Sequence, residues 1–295
     1  MKSLVFNIGG VPEHFNLPFR KAIDEGVFCA KNLDLNWKDY NGGTGDLVEA
    51  LVEKQIDIGV LLTEGAVKAI ADQNPFKIVQ VYVNSPLHWG VYCGAGSILQ
   101  SLNDVKQPSF YISRFGSDSH LMSYRLCQRE RWSMNQVEFI EVANFSGAIN
   151  EFNQNPDKLF LWERFMTKPY VDRGTLKKIG EVPTPWASFS IVVHEDILNN
   201  HENAVILFLK LISDYTYKFK QNTLDSIDYI STYLEFSVID MKQWIQDTDW
   251  NYLLDVPYPK LKIALDFLKE VKLVEVNFDI NHLCPGGNFW TKCSL

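Results

Sequence analysis

The sequence predicts an α/β fold with two lobes, each built on a doubly wound, mostly parallel β-sheet with flanking helices. Short apolar segments that suit buried strands alternate with amphipathic helical segments, first near the start of the chain and again in its middle. Residues 57–62 are almost entirely apolar, as in a parallel strand that is covered on both faces. A chain of 295 residues is also more typical of two domains than of one.

The first lobe is predicted from a strand–helix alternation that turn residues delimit. Gly9 and Gly10 end the first strand, and a glycine-rich turn at residues 41–46 precedes the second helix. The predicted strands are residues 4–8, 33–40, 57–62 and 78–83, and the predicted helices are residues 17–25, 47–54 and 63–73.

The second lobe repeats this alternation after residues 88–93, which we predict to be an extended crossover between the lobes. Residues 165–173 are expected to form a loop or a short helix. Residues 183–186 contain two prolines and therefore cannot form a regular helix. The predicted strands are residues 110–113, 137–141 and 158–162, and the predicted helices are residues 119–131 and a segment that ends near residue 153.

The chain is then expected to return to the first lobe through a strand at residues 189–193 and to continue as helices. These assignments place lobe one at residues 1–85 and 190–295, and lobe two at residues 86–189. Ser237 is a predicted N-cap, because a hydroxyl residue there precedes a helical pattern. The predicted C-terminal helices are residues 199–220, 224–234, 238–246 and 258–269.

The composition argues against a nucleic-acid or membrane partner. The net charge is -8, and no basic cluster is dense enough to follow a phosphate backbone. The longest aliphatic run, residues 204–209, is followed at once by Lys210, so no membrane insertion is expected. Residues 1–3 lead directly into the first strand without the long apolar segment of a signal peptide. We therefore expect a cytoplasmic protein, or a periplasmic one if a leader has been removed.

The cysteines and histidines indicate neither a disulfide framework nor a metal site, and no cofactor is expected. No CxxC pair occurs, and the six histidines lack ligand spacing. The sequence also has no GxSxG elbow, P-loop or HExxH motif, which argues against the common enzyme classes. Free thiols in a reducing compartment are expected for Cys29, Cys93, Cys127, Cys284 and Cys293.

A strand-to-helix joint at residues 110–125 is the main candidate for a binding site. Gly116, Ser117 and Ser119 lie where the predicted strand ends and the helix begins. The exposed amides of such a helix start carry partial positive charge and suit an anionic or acceptor group of a ligand. The alternative is an ordinary turn whose hydroxyls only cap the helix.

Several segments, in this order along the chain, resemble the type 2 periplasmic-binding-protein family, and the resemblance extends from residue 1 to about residue 193. It is strongest to the group that binds aliphatic sulfonates, nitrate, taurine and thiamine-precursor pyrimidines, and within it to members without a signal peptide. The resemblance implies two lobes joined by two crossover hinge segments, with a ligand in a cleft that closes by hinge motion. The segments are IGGVPEHFNLPFRKAIDEGVF (8–28), NGGTGDLVEALVEKQIDIGVLLTEG (41–65), ISRFGSDSHLMSYRL (112–126), NFSGAINEF (144–152) and LFLWERFMTKPYVDRG (159–174).

In open α/β sheets, ligands bind at the carboxyl ends of the strands, and the candidate binding residues follow from that rule. Arg114 favours a carboxylate or sulfonate, whereas two acids at strand ends, Glu64 and Glu163, favour a ligand with an amine or amino-heterocycle. The alternatives are helix capping, ion pairing and core packing. The candidates are Gly10, Glu13, His14, Phe15, Gly43, Thr44, Thr63, Glu64, Gly65, Trp89, Arg114, Gly116, Ser117, Ser119, His120, Phe145, Gly147, Trp162, Glu163 and Trp186.

The function that the resemblance implies is binding of a small polar metabolite without catalysis, with a transporter or a regulatory protein as partner. Some relatives instead synthesise the thiamine pyrimidine with a lysine-bound pyridoxal cofactor, a histidine and a cysteine cluster. Residues 59–65 contain neither that lysine nor that histidine, and residues 185–190 contain no cysteine. This enzymatic alternative is therefore disfavoured, while a metabolite sensor that presents a new surface to a partner stays open.

Overall fold

A computed structural model describes residues 3–287 and residue 289. The chain divides after Ser85 and again after Thr184, so that unit 2 is Pro86–Thr184 and unit 1 contains the residues before and after it. The second division precedes Trp186, whereas the sequence placed the boundary after residue 189. Trp186 therefore belongs to unit 1.

The described residues form ten strands and ten α-helices. The strands are β1 (Leu4–Gly10), β2 (Leu33–Asp39), β3 (Ile58–Leu62), β4 (Phe76–Val83), β5 (His88–Gly94), β6 (Ser109–Ile112), β7 (Glu138–Glu141), β8 (Leu159–Glu163), β9 (Leu176–Pro183) and β10 (Phe189–His194). The helices are α1 (Leu17–Asp24), α2 (Thr44–Val52), α3 (Thr63–Ala71), α4 (Asp118–Glu130), α5 (Phe145–Glu151), α6 (Arg164–Asp172), α7 (Glu195–Gln221), α8 (Thr223–Ser231), α9 (Val238–Asp247) and α10 (Tyr258–Glu270).

Each unit contains one five-stranded sheet, and the two sheets have the same plan. In unit 1 the order is β2-β1-β3-β10-β4, with β1 parallel to β2 and β3, and β10 antiparallel between β3 and β4. In unit 2 the order is β7-β6-β8-β5-β9, with β5 antiparallel between β8 and β9. Four strands of each sheet run one way and one runs against them. The predicted α/β class with two mostly parallel sheets is confirmed.

In the second unit one local prediction is wrong and one strand was not predicted. Residues 88–93 are not a crossover but β5, an interior strand. Residues 176–183, which carried no strand prediction, form β9, an edge strand in which the adjacent Lys177 and Lys178 interrupt any alternation of apolar and polar residues. The segment at 165–173, expected to be a loop or a short helix, is a short helix, α6, which tolerates Pro169 in its interior. For β5 and β9, tertiary pairing overrides a weak local signal.

The cores lie between each sheet and its helices. In unit 1, every residue of β10 is buried, and α7 covers one face, where Phe208 stacks on Phe19 and Phe28 at centroid distances of 6.0 and 5.9 Å. In unit 2, a second core packs strand residues against α5 and consists of Tyr92, Tyr111, Ala148, Phe152, Phe160 and Leu176.

Four cysteines, Cys29, Cys93, Cys127 and Cys284, are free thiols, and Cys293 lies outside the described residues. None of the helices in residues 3–287 and 289 combines the length and the apolar character that crossing a membrane requires.

Ser237 is confirmed as the N-cap of α9, because its Oγ accepts a hydrogen bond of 3.1 Å from the backbone N–H of Asp240. We expect Ser237→Ala to lower the free energy of unfolding by about 1 kcal/mol, because that N–H loses its partner. Ser231→Ala is the control, since the Ser231 hydroxyl donates to the Asp228 carbonyl and caps no N–H group. Urea denaturation would contradict the capping role if both variants changed stability equally.

Candidate functional site

The β1 and β3 strands of unit 1 separate at their carboxyl ends. Pairing of β1 with β2 continues through Gly10 and Asp39, whereas pairing with β3 stops at Gly9 and Gly59. The chain order of the sheet reverses between these two strands, and ligands of open α/β sheets bind at such a switch point.

Unit 2 has the same feature between β6 and β8. Pairing of β6 with β7 continues through Ile112 and Glu141, but pairing with β8 stops at Tyr111 and Phe160. Each unit thus has its own switch point, and most of the predicted site residues lie on the segments that follow these strands.

The loop after β1 carries four of the candidates. A Cβ at Gly10 would lie 2.6 Å from the Trp37 ring, so this glycine allows close packing at the strand end. Glu13 is half-buried in the loop. His14 and Phe15 are buried in an aromatic cluster, in which the Trp244 ring of α9 lies 4.7 Å from His14 and 5.7 Å from Phe15. Phe15 therefore packs in the core, which was one of the two alternatives for this residue.

The helices α2 and α3 begin at strand ends without a side-chain cap. Gly43 precedes α2 with φ of 74°, a conformation that suits glycine, and Thr44 is the first residue of that helix. Thr63 is the first residue of α3, and its hydroxyl lies 2.9 Å from that of Ser190 in β10. Gly65 follows in the first turn of α3. Thr63 N already donates to the Ser188 carbonyl at 3.0 Å, so the N–H groups that these helix starts can offer to an acceptor are the others of their first turns.

Glu64 and Trp186 contact each other inside unit 1. Trp186 Nε1 donates a hydrogen bond of 2.7 Å to Glu64 Oε2, and both side chains are buried. The Trp186 ring also packs against Phe267 of α10, with centroids 5.1 Å apart. The two residues therefore join α3, α10 and the segment before β10.

The joint between β6 and α4 brings together three serine hydroxyls. Ser117 Oγ and Ser119 Oγ lie 3.0 Å apart, and Ser119 Oγ accepts from Ser113 N at 3.0 Å. Ser117 caps α4, accepting from His120 N at 3.5 Å and from Arg114 N at 3.4 Å. The predicted helix start is present, and its N–H groups are partly satisfied by its own side chains.

His120 is 5% exposed and lies among the rings of Phe115, Tyr124 and Phe139. Its Nδ1 accepts a hydrogen bond of 3.0 Å from the N–H of Gly116, whose φ is 79°. The proton of the neutral ring is therefore on Nε2. Burial lowers the pKa of His120 from 6.5 to about 4, against a small opposite effect of the Glu141 carboxylate.

Glu163 is a helix cap in unit 2. Its Oε2 accepts hydrogen bonds of 2.8 Å from the backbone N–H groups of Phe165 and Met166 at the start of α6. Asn144, which sequence reasoning missed, caps α5 by accepting from Gly147 N at 3.0 Å. Both caps follow ordinary N-cap chemistry, and for Asn144 the asparagine before a helical pattern was the available signal.

The remaining aromatic candidates lie close together at the strand ends of unit 2. Trp162 of β8 stacks on Phe160, lies 6.3 Å from the Trp89 ring and 5.8 Å from the Phe145 ring. Trp89 is 4% exposed, and its indole Nε1 has no hydrogen-bond partner among the described residues. A buried donor of this kind is costly unless an external acceptor satisfies it.

A family model described as Ca3427-like PBP matches residues 89–182, which form most of unit 2. A search of curated proteins finds no match. The structure of the conserved Candida albicans CA3427 gene product, reported to have the generic periplasmic binding protein fold, matches with a TM-score of 0.87. The two chains are 24% identical over 95% of this chain and 96% of that one. This chain has the periplasmic-binding-protein fold.

Two further structures share this fold. The alkanesulfonate-binding protein SsuA from Xanthomonas axonopodis pv. citri, bound to MOPS, has a TM-score of 0.79 at 12% identity and covers 97% of this chain and 98% of its own. The nitrate-binding protein NrtA from Synechocystis PCC 6803 has a TM-score of 0.73 at 13% identity and covers 99% and 89%. At these identities the likeness establishes the fold.

Gly147 tests whether a candidate glycine is structural. A Cβ there would lie 1.8 Å from the Val142 carbonyl oxygen, a backbone atom that cannot rotate away. We expect Gly147→Ala to lower the free energy of unfolding by about 1–3 kcal/mol. Gly96→Ala, where a Cβ meets nothing within 4 Å, is the control and should change it by less than about 0.5 kcal/mol. Equal effects in urea denaturation would show that the Val142 contact does not restrict residue 147.

The low pKa of His120 makes stability depend on pH in a defined window. The unfolded chain binds more protons than the folded chain between about pH 4 and pH 6.5, so the stability that His120 contributes is lost as the pH falls through this range. The loss should be on the order of 2 kcal/mol. In urea denaturation, the stability difference between wild type and His120→Gln should shrink from pH 7 to pH 4.5. His201→Gln, at an exposed position of α7, is the control. A pH-independent difference for His120→Gln would contradict the buried, neutral imidazole.

Proposed function

We propose that the protein is a solute-binding protein that holds a small polar metabolite at the carboxyl ends of its strands and releases it unchanged. The metabolite carries an amino-heterocycle or a sulfonate or carboxylate group. The segments after β1, β3, β6 and β8 supply the binding groups, and hinge motion between the units closes the site.

One contrast between the units carries this proposal. The starts of α4, α5 and α6 in unit 2 are capped by Ser117, Asn144 and Glu163. The starts of α2 and α3 in unit 1 have no side-chain cap, although both lie at strand ends. Backbone N–H groups at a helix start attract anionic and acceptor groups. The first contact of the ligand is therefore with α2 and α3, through its acceptor atoms.

The relatives support the same ligand chemistry. The Xanthomonas protein is named for alkanesulfonates and the Synechocystis protein for nitrate, and both ligands present acceptor oxygens. Arg114, half-buried beside the start of α4, is the cation that we assign to an acidic ligand group. The Glu64 carboxylate accepts a hydrogen bond from Trp186, and the Glu163 carboxylate accepts from the backbone at the start of α6. Neither is therefore assigned an acid–base role.

The segments that join the units support hinge motion. Ser188 donates to the Ser85 carbonyl from its N–H and its hydroxyl, at 3.2 and 2.9 Å. On the other side of the division, Thr184 N donates to the Leu87 carbonyl at 2.9 Å, and Leu87 N donates to Thr184 Oγ1 at 3.0 Å. Between these pairs lie Pro86 and Pro185, which have no N–H group to continue the pairing. The hydrogen bonds are thus interrupted where the units divide.

The free thiols support a cytoplasmic location and, with it, a second candidate function. Four described cysteines are unpaired, and three of them are buried, which suits a reducing compartment. In the cytoplasm, the closed, ligand-bound form would act as a metabolite sensor for a regulatory partner. A transporter partner would instead require the protein to lie on the other side of a membrane. Localisation by fractionation of cells that express the tagged full chain separates these two roles.

The binding function is tested by thermal unfolding against sulfonates, thiamine precursors, amino acids and polyamines. A ligand that binds only the folded chain should stabilise it by about 2.7 kcal/mol at a hundredfold excess over Kd. Arg114→Ala should weaken the binding of an acidic ligand about tenfold or more, because a charge-assisted hydrogen bond is lost. Arg173→Ala, on the exposed end of α6, is the control. Wild-type affinity in Arg114→Ala removes Arg114 from the site, and a folded protein that no ligand stabilises argues against a binding protein.

A further inference from the structure

A buried asparagine that the sequence did not single out lies at the carboxyl end of β1. Asn16 ends the loop after this strand, directly before α1, and is 1% exposed. Its Nδ2 donates a hydrogen bond of 2.8 Å to the Val11 carbonyl. The same nitrogen would lie 2.7 Å from a Cβ at Gly10, so the amide covers the last residue of β1.

The hydrogen bond to Val11 determines which way the Asn16 amide faces. A carbonyl oxygen only accepts hydrogen bonds, so the nitrogen of the side chain must face it. The reversed amide would place two acceptor oxygens 2.8 Å apart and lose the bond. The Asn16 Oδ1 is therefore the amide atom that does not contact the Val11 carbonyl.

This oxygen has no hydrogen-bond partner among residues 3–287 and 289. A buried acceptor without a donor costs free energy, and nearly all buried polar groups in native proteins have partners. The cost arises at the switch point of unit 1, where β1 has already parted from β3. A buried acceptor without a donor at this position is the feature expected of a site that binds a donor group of a ligand.

We propose that Asn16 is a specificity-determining residue whose Oδ1 accepts a hydrogen bond from an N–H or ammonium group of the ligand. This inference rests on the proposed function and narrows it. The uncapped starts of α2 and α3 take the acceptor end of the ligand, and Asn16 takes a donor. The ligand therefore carries both an amine-type donor and an acidic or carbonyl acceptor, and a molecule with acceptors alone leaves Asn16 unsatisfied.

Matched ligand pairs test this without any variant. Titration calorimetry with the full chain compares taurine with ethanesulfonate, β-alanine with propionate, and 4-amino-2-methylpyrimidine with 2-methylpyrimidine. In the pair that binds, the amine-bearing member should bind about 10- to 100-fold more tightly, because only it satisfies the buried oxygen. Equal affinity within the pair overturns the inference and leaves Oδ1 to a bound water.

The variant Asn16→Leu tests whether the preference for the amine-bearing ligand depends on Asn16. Asn74→Leu is a closely matched control, because Asn74 Nδ2 also donates, at 2.8 Å, to the carbonyl five residues earlier, but it lies before β4 at the other end of the sheet. The preference for the amine should fall to about twofold or less in Asn16→Leu and persist in Asn74→Leu. An unchanged preference in Asn16→Leu, or an equal loss in both variants, overturns the inference.

The two hypotheses fail in different ways. If no member of any pair binds the folded wild-type chain, the proposed function fails and this inference fails with it. If one pair binds without preference for the amine, only the role of Asn16 is overturned. Should Asn16→Leu not fold, the wild-type comparison within the pairs still decides, since it needs no substitution.

Discussion

The placement of β10 inside the sheet of unit 1 is the constraint on which the rest of the structure depends. This strand is buried at every residue and pairs with both β3 and β4. In the sequence β10 follows all of unit 2, so its pairing with β3 and β4 joins residues that are far apart in the chain. Contacts of such long sequence separation carry an entropic cost in folding. The start of α3 also depends on β10 and on the segment just before it. Thr63 Oγ1 lies within hydrogen-bond distance of Ser190 Oγ, and Thr63 N donates to the Ser188 carbonyl.

The two units share a sheet plan but differ in how their helix starts are satisfied. In unit 2 the side chains of Ser117, Asn144 and Glu163 accept from backbone N–H groups, which stabilises the fold without a ligand. In unit 1, α2 and α3 begin without such caps at the same end of the sheet. Capping and ligand binding compete for the same N–H groups, so the proposed function assigns ligand capture to the uncapped helix starts of unit 1.

Fold and recognition are separable in this protein. The architecture matches the Candida and Xanthomonas proteins over nearly their whole lengths, although identity is only 24% and 12%. Packing requires apolar residues of suitable size and pattern, which many sequences provide. The recognition that we propose depends on single groups, Asn16 Oδ1 and Arg114, which lie on segments between the elements and can change without altering the sheet.

The sequence by itself determined the parallel strands, the helices that follow them and the caps at Ser117 and Ser237, because these features depend on residues close together in the chain. It could not determine β5 and β9, whose strand character depends on pairing with each other and, for β5, with β8. Nor could it place Trp186 against Glu64, 122 residues away, or reveal that Asn16 Oδ1 is left without a donor. Side-chain partners of this kind are chosen by tertiary packing, which brings together groups whose separation along the chain carries no periodic signal.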